Sequence, residues 1–208
     1  MYLIKIRSRQ SRIEGNGLFA GEFIPIGTIV YFYGSTDRFY SKGELKRLSE
    51  EEKQSLFKYG VEDELGNWNM TETGQCLVEA NHSCDANILS LFVDGIYCNI
   101  AIRDIHAGEE ITIDYGMFYN SYPWHLECKC NSPLCRKIIG CGIPIDSKTI
   151  DLWHFRTSEA IKHIFLVKQP LFLNDDVKAM SLAQAIRKKR NPTVFPYIKF
   201  SMISENSV

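Results

Sequence analysis

The chain has 208 residues, of which 45% are hydrophobic and 24% charged, a composition typical of a globular protein with a sizeable core. Its formal net charge of -1 argues against a general attraction to nucleic acid or anionic membrane. Residues Met1–Gln10 lack the apolar core of a signal peptide. We therefore expect an intracellular protein, in the cytoplasm or nucleus or, if its source is microbial, delivered to a host.

Short strands separated by turns are predicted for the first part of the chain. Leu3–Arg7 and Ile29–Tyr33 have the apolar patterns of strands. Between them, Gly15-Asn16-Gly17 predicts a turn, since its glycines permit positive φ and a close backbone approach to a ligand. Ser41–Phe57 is a helical insert with one acidic face, and Glu64–Trp68 predicts a hairpin turn.

A loop at Asn81–Asn87 carries amide, imidazole, hydroxyl, thiol and carboxylate groups, which core packing does not require. Strands return after it at Ile88–Val93 and Ile96–Ile102, joined by the hairpin signal Asp94-Gly95. Ile111–Tyr115 is a further short strand. The pattern to this point is mostly β (α+β), without the strand–helix alternation of doubly wound folds.

The composition changes at Asp146, where amphipathic helices are predicted over Ser158–Lys168 and Asp175–Arg190. Asn174 or Asp175 is the expected cap of the second helix. No catalytic motif is visible in this helical extension. It could pack over a substrate face or form a homodimer.

Four of the seven cysteines crowd into residues 128–141. An odd number of cysteines in a chain without a secretion signal favours metal binding over a disulfide framework. Cys128, Cys130 and Cys135 form a C-x-C-x4-C pattern, whose thiolates suit Zn2+. A tetrahedral zinc site needs a fourth ligand, for which Cys141 and Cys84 are both candidates.

Four motifs follow one another along the chain: G-x-G at Gly15–Gly17, N-H-S-C at Asn81–Cys84, G-E-E-I-T-I-D-Y-G ending at Gly116, and the C-x-C-x4-C segment. In this order they resemble the SET-domain family of protein lysine methyltransferases, including its cysteine-rich post-SET segment. The resemblance implies a SET-domain β-clip fold of small curved sheets with a pseudoknot. It divides the chain into a SET domain at 1–120 with a helical insert at about 41–57, a post-SET zinc segment at 121–141, and a helical extension at 146–208.

By the same resemblance, the cofactor is S-adenosylmethionine, and a structural Zn2+ is held by Cys128, Cys130, Cys135 and a fourth cysteine. The backbone of Gly15, Asn16 and Gly17 and the residues Asn81 and His82 would bind the cofactor. Tyr115 matches the essential tyrosine of the family.

Two positions bear on the substrate channel. The aromatic-x-glycine motif of the family reads Phe32-Tyr33-Gly34 here, so either Phe32 replaces a tyrosine or a local shift lets Tyr31 or Tyr33 serve. Ile113 occupies the position where a tyrosine restricts relatives to one methyl group. Since isoleucine has no hydroxyl, we expect di- or trimethylation.

The expected activity is methylation of lysine in a histone or another basic DNA-binding protein. The alternative is a catalytically weak SET module that binds a peptide or protein partner. A zinc-bearing nucleic-acid binder is disfavoured by the balanced charge. Neither a direct nucleic-acid partner nor a membrane is expected.

Overall fold

The computed structural model describes residues 1–62, 66–70, 80–94, 96–118 and 123–188. In these ranges the strands are short and form four small antiparallel sheets: β1 (Ile6–Gln10), β2 (Asn16–Ala20) and β9 (Glu110–Ile111); β3 (Ile29–Phe32), β8 (Ile96–Ala101) and β7 (Ile88–Val93); β4 (Arg38–Tyr40), β6 (Trp68–Met70) and β5 (Val61–Glu62); and β10 (His125–Glu127) with β11 (Ile138–Gly140). The helices are α1 (Lys42–Leu45), α2 (Glu50–Tyr59), α3 (Ser147–His163) and α4 (Val177–Lys188). Small antiparallel sheets with C-terminal helices confirm the predicted fold class.

The sheet β3-β8-β7 separates two apolar cores. One, the helix-side core, contains Leu89, Leu91, Cys98 and Ile100 and is covered by the C-terminal helices. The other, the site-side core, contains Ile88, Tyr97, Ala101 and Ile113, with Tyr115 packed against it. Because neighbouring residues of a strand face opposite sides of the sheet, one pair of strands supplies both cores.

A loop wraps around the segment that follows β9. Ile113 donates its backbone N–H to Asn81 O at 3.1 Å, and its carbonyl accepts from Ser83 N at 3.1 Å. On the other side, Thr112 O accepts from Asn87 N and Ile88 N at 3.3 and 3.2 Å. Thr112 also donates its backbone N–H to the side-chain oxygen of Asn87, Oδ1, at 2.9 Å. The segment is thus held by both arms of the loop, which is the threaded arrangement implied by the family resemblance.

The predicted helical insert is two helices rather than one. Ser41 and Ser49 each form a capping box, with Glu44 and Glu52 respectively, so a new helix begins at each serine. The acidic residues 50–52 lie in the first turn of α2, where their negative charge interacts favourably with the positive end of the helix dipole. The hairpin predicted around residues 64–68 is present as the antiparallel pair β5–β6, although residues 63–65 lie outside the described residues.

Several predicted boundaries were wrong. The strand expected at Ile111–Tyr115 is β9 at Glu110–Ile111, and Tyr115 begins a 3-10 turn. The first strand begins at Ile6 rather than Leu3. The helix predicted at Ser158–Lys168 begins at Ser147, because Asp146 caps it by accepting from Thr149 N. In α4 the capping side chain is Asp176, whose Oδ1 accepts from Lys178 N at 2.8 Å, instead of Asn174 or Asp175.

Some predictions lie outside the described residues. They concern Gly95 of the Asp94-Gly95 turn, Cys76, residues 121–122 of the post-SET segment, and the extension beyond residue 188. Among the helices in the described part of the chain, none combines the length and apolar character that a membrane span requires.

The helical extension is an integral part of the fold, and Gln169 is one of the contacts that join it to the sheet. Gln169 is 4% exposed and lies next to the 3-10 turn Pro170–Leu173. Its Oε1 accepts from Ile29 N at 2.8 Å, and its Nε2 donates to Gly27 O at 3.0 Å. A second contact is the ion pair between Arg156 of α3 and Asp85 at 2.7 Å.

We expect Gln169→Ala to lower the free energy of unfolding by about 2–3 kcal/mol, since it leaves a buried N–H and a buried C=O without partners. Urea denaturation followed by circular dichroism measures the change. Gln54→Ala, at an exposed position of α2, is the matched control and should change stability by less than about 0.5 kcal/mol. Equal effects of the two substitutions would mean that Gln169 does not join the extension to the sheet.

Candidate functional site

Tyr115 lies where the threaded segment ends. Asp114 caps the 3-10 turn Tyr115–Met117 by accepting from Gly116 N at 2.9 Å, which turns the chain and directs the tyrosine ring back toward the loop. The Tyr115 hydroxyl donates to Ala80 O at 2.9 Å. Burial raises the pKa of Tyr115 to about 12, so the phenol keeps its proton at neutral pH. Because that proton is donated to Ala80, the lone pairs of the phenol oxygen remain as acceptors.

The imidazole of His82 points into the protein and links two parts of the site. Its Nδ1 accepts from Tyr115 N at 3.1 Å, and its Nε2 lies 3.2 Å from Cys84 Sγ. Burial, together with the charge of Arg136, lowers the pKa of His82 to about 3, so the ring is neutral. A neutral ring whose Nδ1 is an acceptor carries its proton on Nε2, which therefore donates to the sulfur. The side chain thus holds the backbone of Tyr115 and the thiol of Cys84 together.

Four cysteine sulfurs converge beside this histidine. Cys84, Cys128, Cys130 and Cys135 lie with their sulfur atoms within 4.8 Å of one another. Of the two candidates for a fourth ligand, the structure brings Cys84 into this cluster. Cys141 instead follows the last residue of β11 and donates its backbone N–H to Trp124 O, just before β10, at 3.0 Å. Four sulfur donors at this spacing suit a tetrahedral soft cation such as Zn2+.

Arg136 supplies further donors to the Cys84 sulfur, from its backbone N at 3.3 Å and its Nε at 3.4 Å. With His82 this places three N–H groups on one sulfur, a set that stabilises a thiolate. The Arg136 guanidinium also pairs with the buried Asp114 carboxylate and lies over the Trp153 ring of α3, 5.5 Å from its centroid. Sequence reasoning missed Arg136, although its position directly after Cys135 placed it at the cluster.

The glycine-rich turn at residues 15–17 is held by Asn81. The Asn81 amide nitrogen donates to Glu14 O at 3.0 Å, Asn16 O at 3.3 Å and Glu110 Oε1 at 2.8 Å. A Cβ on Gly17 would lie 2.2 Å from Glu110 Oε1 and 2.9 Å from Asn81 Nδ2, so a larger residue there would displace both side chains. Glu110 was not among the residues predicted for the site.

Gly15, at the start of the turn, has φ +46°, with nothing within 4 Å of where a Cβ would stand. Gly15 and Asn16 are exposed residues. The structure therefore brings Gly15, Asn16, Gly17 and Asn81 together, as the sequence predicted, and leaves one face of the turn open.

The structure does not bring Phe32, which the sequence assigned to the substrate channel, next to Tyr115. Phe32 is fully buried in the helix-side core, on the opposite face of the sheet from Tyr115. A register shift in β3 between Ile29 and Tyr31 is the reason, because it places Val30 and Tyr31 together on the site side. Tyr31 and Tyr33 lie in the site-side core, with ring centroids 5.5 Å apart. The local shift considered from the sequence therefore fits the structure.

Ile113 lies in the site-side core, fully buried, with backbone bridges to His82 and Ile88. Its side chain is therefore on the same side of the sheet as Tyr115, as the sequence motif predicted. What it contributes to a reaction depends on the activity of the chain.

Comparison with known proteins identifies the part of the chain that contains this site. Residues 15–116 match a family model described as the SET domain. Human histone-lysine N-methyltransferase 2D is 30% identical over 134 residues, covering 62% of this chain and 2% of the relative. A Mycosarcoma maydis protein named histone-lysine N-methyltransferase, H3 lysine-4 specific, is 32% identical over 143 residues, covering 65% of this chain and 10% of the relative.

The chain therefore corresponds to 10% or less of the length of these two relatives. Among solved structures, that of a Plasmodium falciparum protein described as a histone methyltransferase has 19% identity to this chain and a TM-score of 0.41. It covers 54% of this chain and 93% of that one.

The cysteine cluster leads to a metal prediction. We expect about one zinc ion per chain in the purified protein, and much less in Cys84→Ser, because three ligands do not close the tetrahedron. Elemental analysis by mass spectrometry measures the metal content. Cys141→Ser is the matched control and should keep its zinc. Retention of zinc by Cys84→Ser together with its loss from Cys141→Ser would show that Cys141 is the fourth ligand.

Proposed function

We propose that the chain, whose residues 15–116 match the SET-domain model, is an S-adenosylmethionine-dependent protein-lysine N-methyltransferase with a structural zinc site. The observation that carries this proposal is the position of the Tyr115 hydroxyl, 2.9 Å from Ala80 O at the root of the loop that holds the glycine turn. Ala80 is followed by Asn81, whose side chain contacts the turn at Glu14 and Asn16, so the Tyr115 oxygen and the turn are held by neighbouring residues of one loop. Its relatives named as histone-lysine N-methyltransferases support the same activity.

The residues around the glycine turn fit the cofactor. The carbonyls of Gly15 and Asn16 already accept from Ser11 N and Asn81 Nδ2, so the turn would offer its backbone N–H groups to the carboxylate of the cofactor. A larger residue at Gly17 would displace Asn81. The Asn81 amide nitrogen is engaged by the turn, which leaves its carbonyl oxygen to accept from a cationic amino group. The imidazole of His82 is buried against Cys84, so its proposed contribution to cofactor binding comes from its backbone.

When bound, the cofactor would supply an electrophilic methyl group, which the lysine nitrogen attacks in line with the carbon–sulfur bond, with S-adenosylhomocysteine as the leaving group. A nitrogen–carbon bond forms as the carbon–sulfur bond breaks, and the products are methyl-lysine, S-adenosylhomocysteine and a proton. Because no covalent enzyme intermediate is needed, the chain contributes mainly by holding the amine ~3 Å from the methyl carbon. The Tyr115 hydroxyl donates its proton in a hydrogen bond to Ala80 O, so the lone pairs of the phenol oxygen are free to orient and polarise the C–H bonds of the methyl group.

The lysine must be neutral to attack, and its ordinary pKa is ~10.4. Tyr115 has a raised pKa of about 12 and keeps its proton, so it does not serve as the base at neutral pH. The site-side core next to Tyr115 instead lowers the pKa of an entering lysine by withdrawing it from water. Deprotonation then occurs to solvent before the amine is enclosed.

We take histone H3 as the substrate class, since one relative is named as H3 lysine-4 specific. Histone tails are basic, and the exposed Glu50 and Glu51 of α2 offer them opposite charge. A histone substrate places the protein in the nucleus of the cell in which it acts. A homodimer through the C-terminal helices stays a prediction.

The alternative, a catalytically weak module that binds peptides, was motivated by the loss of a channel tyrosine at Phe32. With Phe32 in the helix-side core and the tyrosines at 31 and 33 on the site side, that motive is weakened. Binding of a histone peptide without any methyl transfer would favour the alternative.

Tyr115→Phe should reduce methyl transfer by about 10²–10³-fold, because it removes the oxygen proposed to act on the methyl group. The assay is transfer of labelled methyl from S-adenosylmethionine to core histones. Tyr40→Phe removes a hydroxyl from β4, outside the site, and should leave transfer unchanged. If Tyr115→Phe labels histones as fast as the unaltered protein does, Tyr115 does not have the proposed role.

Ile113 leads to a prediction about the product. Its fully buried aliphatic side chain offers no hydroxyl to hold the amine in one orientation, so transfer should proceed beyond monomethyl-lysine. Mass spectrometry of a histone H3 tail peptide after exhaustive reaction should show di- or trimethyl-lysine. Monomethyl-lysine as the sole product would contradict this expectation.

A further inference from the structure

Three polar side chains form a buried cluster in the central sheet, within the site-side core. Ser90 Oγ and Tyr97 Oη are 2.8 Å apart, and Asn99 Nδ2 donates to both, at 3.1 and 3.2 Å respectively. All three residues are less than 9% exposed, and Asn99 is fully buried. Buried polar groups are costly unless they are hydrogen-bonded, so this cluster requires a reason.

The hydrogen-bonding capacity of the cluster is incompletely used. Asn99 Nδ2 has two protons, and both are donated. Its carbonyl oxygen, Oδ1, accepts no hydrogen bond from the described residues, although it is shielded from solvent. A buried amide oxygen in this state attracts an N–H or O–H donor that is not part of these elements.

The register of the strands places this cluster on the face that Tyr115 packs against. Ser90 is opposite Asn99, and Ile88 is opposite Ala101 on the same face. Ile88 and Ala101 belong to the site-side core, whereas the intervening Leu89 and Ile100 belong to the helix-side core. Because Ile88 is bridged to Ile113, the Ser90–Asn99 pair lies one pleat, roughly 6.6 Å, along the sheet from the threaded segment.

We propose that Asn99 determines the final methylation state, by accepting a hydrogen bond from an N–H of the substrate amine, and that dimethyl-lysine is the end product. The inference rests on the proposed methyltransferase function. Ser90 and Tyr97 act as positioning residues, since they fix the amide nitrogen and thereby direct Oδ1 away from themselves.

The limit at two methyl groups follows from counting N–H bonds. A neutral unmethylated amine has two and a neutral monomethyl amine has one, so Asn99 Oδ1 can be satisfied in the first and second transfers. A neutral dimethyl amine has none, and the amide oxygen would then face a methyl group. Losing one hydrogen bond in a buried site slows the third transfer by about tenfold or more.

The experiment compares transfer to three histone H3 tail peptides that carry unmethylated, monomethyl or dimethyl-lysine at one position. In the unaltered protein, the dimethyl peptide should react at least about tenfold more slowly than the monomethyl peptide. Asn99→Ala should reduce that ratio by about tenfold and yield trimethyl-lysine, while Tyr40→Phe should leave the ratio unchanged. Equal rates with mono- and dimethyl peptides in the unaltered protein, or an unchanged ratio in Asn99→Ala, would overturn the inference.

Two further measurements guard against a variant that does not fold. Tyr97→Phe keeps the ring and removes one anchor of the amide, so it should shift the same ratio in the same direction by a smaller factor. At neutral pH a bound dimethyl-lysine that does not react is protonated and has one N–H for Asn99 Oδ1, whereas trimethyl-lysine has none. Calorimetry of the unaltered protein should therefore show tighter binding of the dimethyl than of the trimethyl peptide, and equal affinity would contradict the role of Asn99. If the unaltered protein transfers methyl to none of the peptides, the proposed function itself is wrong, whereas transfer without the ratio overturns this inference alone.

Discussion

The site depends on the hydrogen bond from His82 Nε2 to Cys84 Sγ, because both ring nitrogens of this histidine form hydrogen bonds within the site. One nitrogen accepts from the backbone of Tyr115, and the other donates to a sulfur of the cysteine cluster. A protonated ring would lose the first bond, and the low pKa of about 3 keeps it neutral. The tautomer is therefore fixed by the fold, and the tyrosine backbone and the cluster are positioned by the same side chain.

Arg136 closes a ring of contacts around that bond. It donates to Cys84 Sγ from two nitrogens and pairs with Asp114, whose other bond caps the turn at Tyr115. A buried carboxylate without such a partner would be strongly destabilising. The segment that carries Cys135 and Arg136 is thus needed both to complete the cysteine cluster and to neutralise Asp114. Metal binding, docking of the segment and placement of Tyr115 should consequently be lost together.

The sequence predicted which residues lie close together better than it predicted the boundaries of the elements around them. Asn81, His82, Cys84 and Tyr115 were selected because their residue types and order are those of a family motif, and the threaded loop does bring them together. Phe32 lies on the side of the sheet away from Tyr115 because one extra residue in β3 reverses which side chains face the site. A one-residue irregularity of this kind leaves no mark in the apolar pattern. The start of α3 was missed because Asp146 and Thr149 decide it by a cap, while the predicted helix was drawn from periodicity alone.

The C-terminal extension could not be assigned a role from its sequence, since its amphipathic helices suit either an appendage or a wall of the core. Its contacts decide the matter. Gln169 hydrogen-bonds the backbone of Ile29 and Gly27, Arg156 pairs with Asp85 of the threaded loop, and Trp153 lies against Arg136. The C-terminal helices cover one face of the sheet and bury its apolar side chains in the helix-side core. The opposite face, against which Tyr115 packs, carries the buried polar residues Ser90 and Asn99, whose hydrogen bonds to each other and to Tyr97 let the sheet hold polar groups there.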